Sequence, residues 1–134
     1  MTEIADKSSP FITNEDTFDV SVNYYRDGKK VIVEDTEGFD SKKQQSVITF
    51  EIRYPSQADC ETIMRNCKDI YVENGEKLDV RTFLKVELIR FLTLVKSWNL
   101  SQAMNNENVM NLHPDLIRST LGKIRTEIGT NGII

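Results

Sequence analysis

Few residues of this chain have the types and the spacing that bond chemistry requires. The single histidine, His113, stands directly before a proline, where we expect a loop residue or a helix cap. A serine or cysteine nucleophile would need this one imidazole as its base, and the sequence contains no recognisable nucleophile–base pair. A zinc site usually needs several histidine or cysteine ligands at close spacing, which the chain does not have. We therefore expect no enzymatic activity, no metal and no cofactor.

Two further patterns resemble ligand sites but lack the required spacing. The pairs Gly28-Lys29 and Gly122-Lys123 have neither the preceding glycine nor the following hydroxyl of a phosphate-binding loop. The acidic run 34–37 lacks the alternating aspartates of a calcium loop, and we interpret it as a solvated acidic loop.

The two cysteines, Cys60 and Cys67, are seven residues apart in a predicted helix. That spacing separates them by about 10.5 Å along a helix axis. A disulfide needs Cα atoms within about 7 Å of each other, so these two cannot pair there. We interpret them as two buried thiols in a reducing compartment.

Length and charge narrow the class of protein. The 134 residues predict one domain, 1–134, with a loose polar tail at 1–13. The net charge is −4, and residues 1–55 carry 11 acidic and 7 basic side chains, which argues against a nucleic-acid partner. The longest apolar region, 83–100, is interrupted by four charged residues, so we expect no membrane span.

The apolar periodicity predicts the strands and helices that would position any functional residues. Alternation of apolar and polar residues predicts three strands, and Asp27-Gly28 between the first two is a hairpin signal. Strands followed by helices are typical of an α+β fold, here a small antiparallel β-sheet (a hairpin plus one strand) packed against three α-helices. The predicted strands are Phe18–Tyr25, Lys30–Asp35 and Val47–Tyr54.

Three helices are predicted after the strands. The first begins at the N-cap Ser56 and stops at Asn74-Gly75. The second begins at Asp79 and carries an apolar stripe that extends to Trp98. After a polar loop at 101–108 and a short helical turn at 109–112, the last helix runs from Pro114 to its end at Gly129, with Gly132 beyond. The stripe of the second helix consists of Leu84, Leu88, Phe91, Leu92, Val95 and Trp98.

The second helix is apolar over an unusually large part of its circumference. Phe83, Val86, Ile89 and Leu94 broaden its stripe beyond a single face. A helix of this kind is either central to the core or covered by a partner, and we favour the core.

A helix that closes on Trp98 and Leu100, a polar loop, and Leu112-His113-Pro114 at the start of a final helix make the last third of the chain resemble the C-terminal part of bacteriophage tail assembly chaperones. In that family a helix typically closes on a tryptophan, followed by a short polar residue and an apolar one. A short acidic loop then leads to a Leu-x-Pro start of a final helix; here the loop is rich in asparagine. The residues that match are Trp98, Leu100, Leu112, Pro114 and Leu116.

The resemblance implies a non-enzymatic role in the host cytoplasm. Such chaperones bind the long, helix-rich tape measure protein and keep it soluble until tail tube subunits polymerise around it. A lone tryptophan and two methionines around a polar loop predict the contact surface, because methionine suits adaptable apolar surfaces. The predicted partner-binding residues are Trp98, Leu100, Met104, Met110 and Leu112.

Other roles stay open at this point. A small structural component of a phage virion, such as a connector, baseplate or capsid-associated protein, would have similar elements. Purified virions would contain a structural component and lack a chaperone. A small regulatory or inhibitor protein is neither supported nor excluded, and the sequence does not decide whether the chain forms a homo-oligomer.

Overall fold

A four-stranded antiparallel sheet with helices on one face organises the chain, in a computed structural model that describes residues 9–73, 75 and 79–129. The strands are β1 (Thr17–Asp27), β2 (Lys30–Val33), β3 (Ser46–Arg53) and β4 (Val95–Trp98), and their order in the sheet is β2-β1-β3-β4. The helices are α1 (Gln57–Glu73), α2 (Val80–Leu94), α3 (Asn106–Met110) and α4 (Pro114–Ile128). The predicted α+β class with an antiparallel sheet is confirmed.

The predicted hairpin forms β1 and β2. Asp27 pairs with Lys30 across the turn, where Gly28 has a φ of 64°, a left-handed conformation that glycine adopts without strain. β2 ends at Val33, two residues before the predicted end, because Asp35 leaves the extended conformation with a φ of 67°. β1 then pairs along nearly its whole length with β3.

Strand alternation directs one set of side chains into the core. Val22 lies opposite Ile48 and Val20 opposite Phe50, so all four point to the face that carries the helices. The Phe50 ring meets the Phe91 ring of α2 edge to face, with ring centroids 5.5 Å apart, and both side chains are fully buried. The helices add further buried residues to this core, including Ile63, Val86, Leu94, Val109, Leu121 and Ile124.

The sequence prediction was wrong between Val95 and Trp98, where a strand replaces the end of the predicted helix. The helix stops at Leu94, and Val95 takes the extended conformation (φ −83°, ψ 118°). β4 pairs with β3 through Ile52–Val95 and Phe50–Trp98, and Lys96 is the extra residue of a β-bulge. Because the bulge adds one residue, the two apolar side chains of β4 are three positions apart, the same spacing that a helix would give.

The buried side of α2 also differs from the predicted stripe. It consists of Thr82, Val86, Glu87, Phe91 and Leu94. Among the stripe residues, Phe91 is fully buried, whereas Leu88 is partly buried and Leu84 is 42% exposed. α2 is therefore a core helix on one side only, and a second apolar side remains at the surface.

Three of the predicted helix starts are confirmed by their caps. Ser56 and Asp59 exchange backbone-to-side-chain hydrogen bonds of 3.0 and 3.2 Å at the start of α1, as in a capping box. Asp79 accepts a hydrogen bond from the backbone N–H of Thr82 at 2.8 Å at the start of α2. Pro114 opens α4 as predicted.

The helix ends agree with the predicted glycines where they are described. Gly75, after α1, has a φ of 63°, and Gly129, after α4, has a φ of 66°. Asn74, Gly132 and the part of the predicted tail at 1–8 lie outside the described residues.

A fourth helix, α3, stands where only a short helical turn was predicted. α3 begins inside the segment predicted to be a polar loop, where the side chain of Asn105 accepts a hydrogen bond from the backbone N–H of Asn108 at 2.8 Å. The short helical turn predicted at 109–112 therefore starts three residues earlier and ends at Met110. The fully buried Val109 attaches α3 to the core.

Both cysteines lie on α1 as free thiols. Cys67 is buried, and its burial raises the pKa of the thiol more than the nearby Arg90 lowers it. Cys60 is only partly buried, so the prediction of two buried thiols holds for Cys67 alone. Among the helices of the described ranges, none has the length and apolar character needed to cross a membrane.

Candidate partner-binding surfaces

The predicted partner-binding residues gather where β4, α3 and the start of α4 meet. Trp98, Leu100, Met104 and Leu112 are partly buried and pack against the core, whereas Met110 is 64% exposed. The structure divides them between two open grooves. Met104 lines neither of them.

The first surface, the apolar groove, lies between α2 and α4 and is closed at one end by α3. It encloses about 230 Å³. Leu84 and Leu88, one helical turn apart, line its α2 side, and Ile117 lines its α4 side. Met110 and Leu112 complete it, so two of the five predicted residues belong here.

A buried carboxylate also lines the apolar groove. Glu87 is only 4% exposed, and its Oε1 lies 3.2 Å from Arg125 Nη2 and 3.9 Å from Arg90 Nη1. These contacts tie α2 to α4, since Arg125 belongs to α4. The other oxygen, Oε2, is buried and has no hydrogen-bond partner among the residues that the structure describes, which costs stability.

Sequence reasoning missed Glu87 as a structural residue. Its signal was a glutamate on the apolar side of the second helix, with Arg90 three positions later on the same side. The arginine from α4 could not be assigned from the sequence, because Glu87 and Arg125 are 38 positions apart and meet only through the packing of the two helices.

The second surface, the sheet-end groove, lies over the end of the helix-bearing sheet face that α2 and α4 leave uncovered. It encloses about 510 Å³. The sheet supplies Tyr24, Arg26, Val31, Ile48 and Trp98. The opposite wall comes from the segment between β4 and α4 together with the first turn of α4, and consists of Leu100, Gln102, Asn108, Asn111, Leu112, His113 and Leu116. Leu112 therefore separates the two grooves.

Trp98 is anchored at the edge of the core. Its indole N–H donates to the backbone carbonyl of Gln102 at 2.7 Å, and its ring lies edge to face against Phe50 with centroids 6.5 Å apart. The ring forms part of the wall of the sheet-end groove, but its indole donor is already used. This arrangement suits a residue that lies at the edge of the core and shapes a groove.

Asparagines hold the loop after Trp98 in place. Asn99 accepts a hydrogen bond from the backbone N–H of Thr49 at 2.9 Å, through its side-chain oxygen. The side-chain amide of Asn108 donates to the carbonyl of Ala103 at 2.7 Å. The asparagine content of this segment thus has a structural role, because the side chains satisfy backbone groups that a loop leaves unpaired.

His113 caps α4. Its Nδ1 accepts a hydrogen bond from the backbone N–H of Asp115 at 3.1 Å. Because Nδ1 is an acceptor, the proton of the neutral imidazole lies on Nε2, which makes the ring an N–H donor. The prediction of a cap partner is confirmed for this residue.

Within the described part of the chain, no three His, Cys, Asp or Glu side chains are grouped closely enough to hold a metal ion. Comparison of the chain with protein-family models, characterised proteins and solved structures finds no match. We therefore propose a function from the two grooves and the residues that line them.

Proposed function

We propose that this chain is a non-enzymatic tail assembly chaperone, and that its apolar groove holds an amphipathic helix of a phage tape measure protein. The proposal rests on one observation above all. Met110 and Leu84, exposed by 64% and 42%, stand on two different helices and line the same groove. Apolar side chains that converge on one open groove are typical of a protein-binding surface.

The position of the apolar groove between two helices supports a helix as the occupant. Grooves between two helices accept a third helix through apolar side chains at positions i, i+3 or i+4, and i+7. Leu84, Leu88 and Ile117 would contact such a stripe along the groove walls, and Met110 at the end can adapt its unbranched side chain to the partner. In the family that the sequence resembles, the partner is a tape measure protein, which is rich in helices.

The charges beside the groove support a specific orientation of the bound helix. Arg118 lines the rim, and its Nη1 lies 3.2 Å from the Asp115 carboxylate. Its other nitrogens can pair with the partner. Charged rims around an apolar floor fix the register of a helix more than they add affinity.

Co-expression with the tape measure protein of the same phage tests the proposal. We expect the tape measure protein to aggregate when expressed alone, and to stay in the supernatant and co-purify with this chain when both are present. The variant Leu84→Asp places a charge in the groove and should return the tape measure protein to the pellet. A tape measure protein that is equally soluble with and without this chain contradicts the proposal.

Mass spectrometry of purified virions separates the proposal from its main alternative. A chaperone is absent from mature particles or present far below one copy per tail. If the chain is found there in stoichiometric amounts, the structural role replaces the chaperone role.

A further inference from the structure

The sheet-end groove differs chemically from the apolar groove, and the proposed function does not use it. It exists because the helix layer is shorter than the sheet. Val20 and Val22 of β1 are buried beneath the helices, whereas Tyr24 and Arg26, further along the same face of the same strand, are not. The segment from β4 to the first turn of α4 forms the opposite wall and leaves the space open.

The charge of the sheet-end groove is unusual for this protein. The chain has a net charge of −4, yet the described lining of this groove includes no aspartate or glutamate. Arg26 is its permanently charged residue, and one of its nitrogens donates to the carbonyl of Lys29 at 3.1 Å, which holds the guanidinium in place. The remaining guanidinium N–H groups can pair with a carboxylate.

Further hydrogen-bond donors stand on the groove wall. His113 offers an N–H at Nε2, since its Nδ1 is used as the cap of α4. The hydroxyl of Tyr24 also lines the groove and can donate as well. These groups and Arg26 surround an apolar floor of Val31, Ile48 and Trp98.

We propose that the sheet-end groove binds an acidic segment of a protein partner, in which a glutamate or aspartate stands beside a large aliphatic side chain. The carboxylate pairs with Arg26 and accepts from the imidazole of His113, and the aliphatic side chain packs against Trp98. The inference rests on the proposed function only in that both place a protein partner at this corner. A nucleic acid is the less suitable occupant, because one arginine on an acidic protein neutralises few phosphates.

NMR titration of the 15N-labelled full chain tests the inference directly. Trp98 is the only tryptophan, so its indole N–H gives one assignable signal on the groove wall. The probes are two capped peptides, acetyl-Glu-Leu-Glu-Leu-amide and its match acetyl-Gln-Leu-Gln-Leu-amide. We expect the acidic peptide to shift the Trp98 signal in a saturable manner, and to bind roughly tenfold more tightly than the glutamine peptide.

Two variants assign the difference to Arg26. In Arg26→Gln, the affinity for the acidic peptide should fall to that for the glutamine peptide, and the difference between the peptides should vanish. The matched control Arg118→Gln removes an exposed arginine from the other groove and should leave both affinities unchanged. Added salt should weaken the acidic peptide alone, which tests the ion pair without any substitution.

Three results would overturn the inference. They are equal affinities for the two peptides, a Trp98 signal that the acidic peptide does not shift, and displacement of the peptide by a short single-stranded oligonucleotide at lower concentration. Each of these leaves the chaperone role untouched, because solubility of the tape measure protein depends on Leu84 and the apolar groove. Loss of that role in turn leaves the peptide titration unaffected.

Discussion

The two sides of α2 are both apolar in sequence but have different surroundings. On one side Phe91 meets Phe50 in the fully buried core. On the other side Leu84 and Leu88 face the apolar groove, where Leu84 remains 42% exposed. One side of α2 therefore holds the domain together, while a second apolar side stays at the surface. Substitutions on the two sides should therefore affect different properties.

The largest effect on stability is expected on the core side. Phe91→Ala removes a fully buried aromatic ring and its contact with Phe50, and should lower the free energy of unfolding by about 3–5 kcal/mol. Leu88→Ala, on the groove side, should cost only about 1 kcal/mol, since Leu88 is partly buried. Urea denaturation of both variants checks the ranking. Equal losses would mean that the groove side is also core.

The buried carboxylate between the two sides should give the next largest effect. Glu87→Ala leaves Arg90 and Arg125 without their shared partner, and should lower the free energy of unfolding by about 1–3 kcal/mol. The control Arg118→Ala breaks the exposed pair with Asp115, and should change stability by less than about 0.5 kcal/mol. Thermal unfolding of the two variants measures the difference. A Glu87 variant as stable as the control would show that this ion cluster contributes nothing.

Substitutions at the start of α2 should lower the stability less than Phe91→Ala and Glu87→Ala do. This loss should concern the core side and the groove side of the helix equally. Asp79→Ala removes the cap of the Thr82 N–H and should cost about 1 kcal/mol. Asp79→Asn keeps a side-chain oxygen at this position and should recover most of the loss. Urea denaturation again gives the values. If the asparagine variant is as unstable as the alanine variant, the carboxylate has a role other than capping.

Apolar periodicity and turn chemistry predict most of the fold. They fail where a helix and a bulged strand give the same spacing of apolar residues. The hairpin, β3, the capped helix starts and Gly129 all follow from local signals. β4 does not, because the bulge at Lys96 places Val95 and Trp98 three residues apart, as a helix would. Only pairing with β3 distinguishes the two, and that pairing is a tertiary contact.

The residues that line the grooves could be predicted only in part, because tertiary contacts also bring these residues together. Among the predicted partner-binding residues, Met110 and Leu112 line the apolar groove, and Trp98 and Leu100 line the sheet-end groove. The residues that complete the surfaces, such as Leu84 and Arg26, lie far away along the chain. No local pattern connects them to α3, so their contribution depends on the packing of the helices and the sheet.

The proposal that the groove side of α2 and α4 binds a tape measure helix is tested most directly by a pair of matched methionine variants. Met110 in the apolar groove and Met64 on α1 are 64% and 59% exposed, so Met110→Asp and Met64→Asp should both leave the free energy of unfolding nearly unchanged. The measurement is the amount of tape measure protein that co-purifies with each tagged variant. We predict that it falls at least about tenfold for Met110→Asp, as expected for a charge in an apolar contact, and stays at the wild-type level for Met64→Asp. Equal co-purification with both variants, while both remain folded, would contradict the claim.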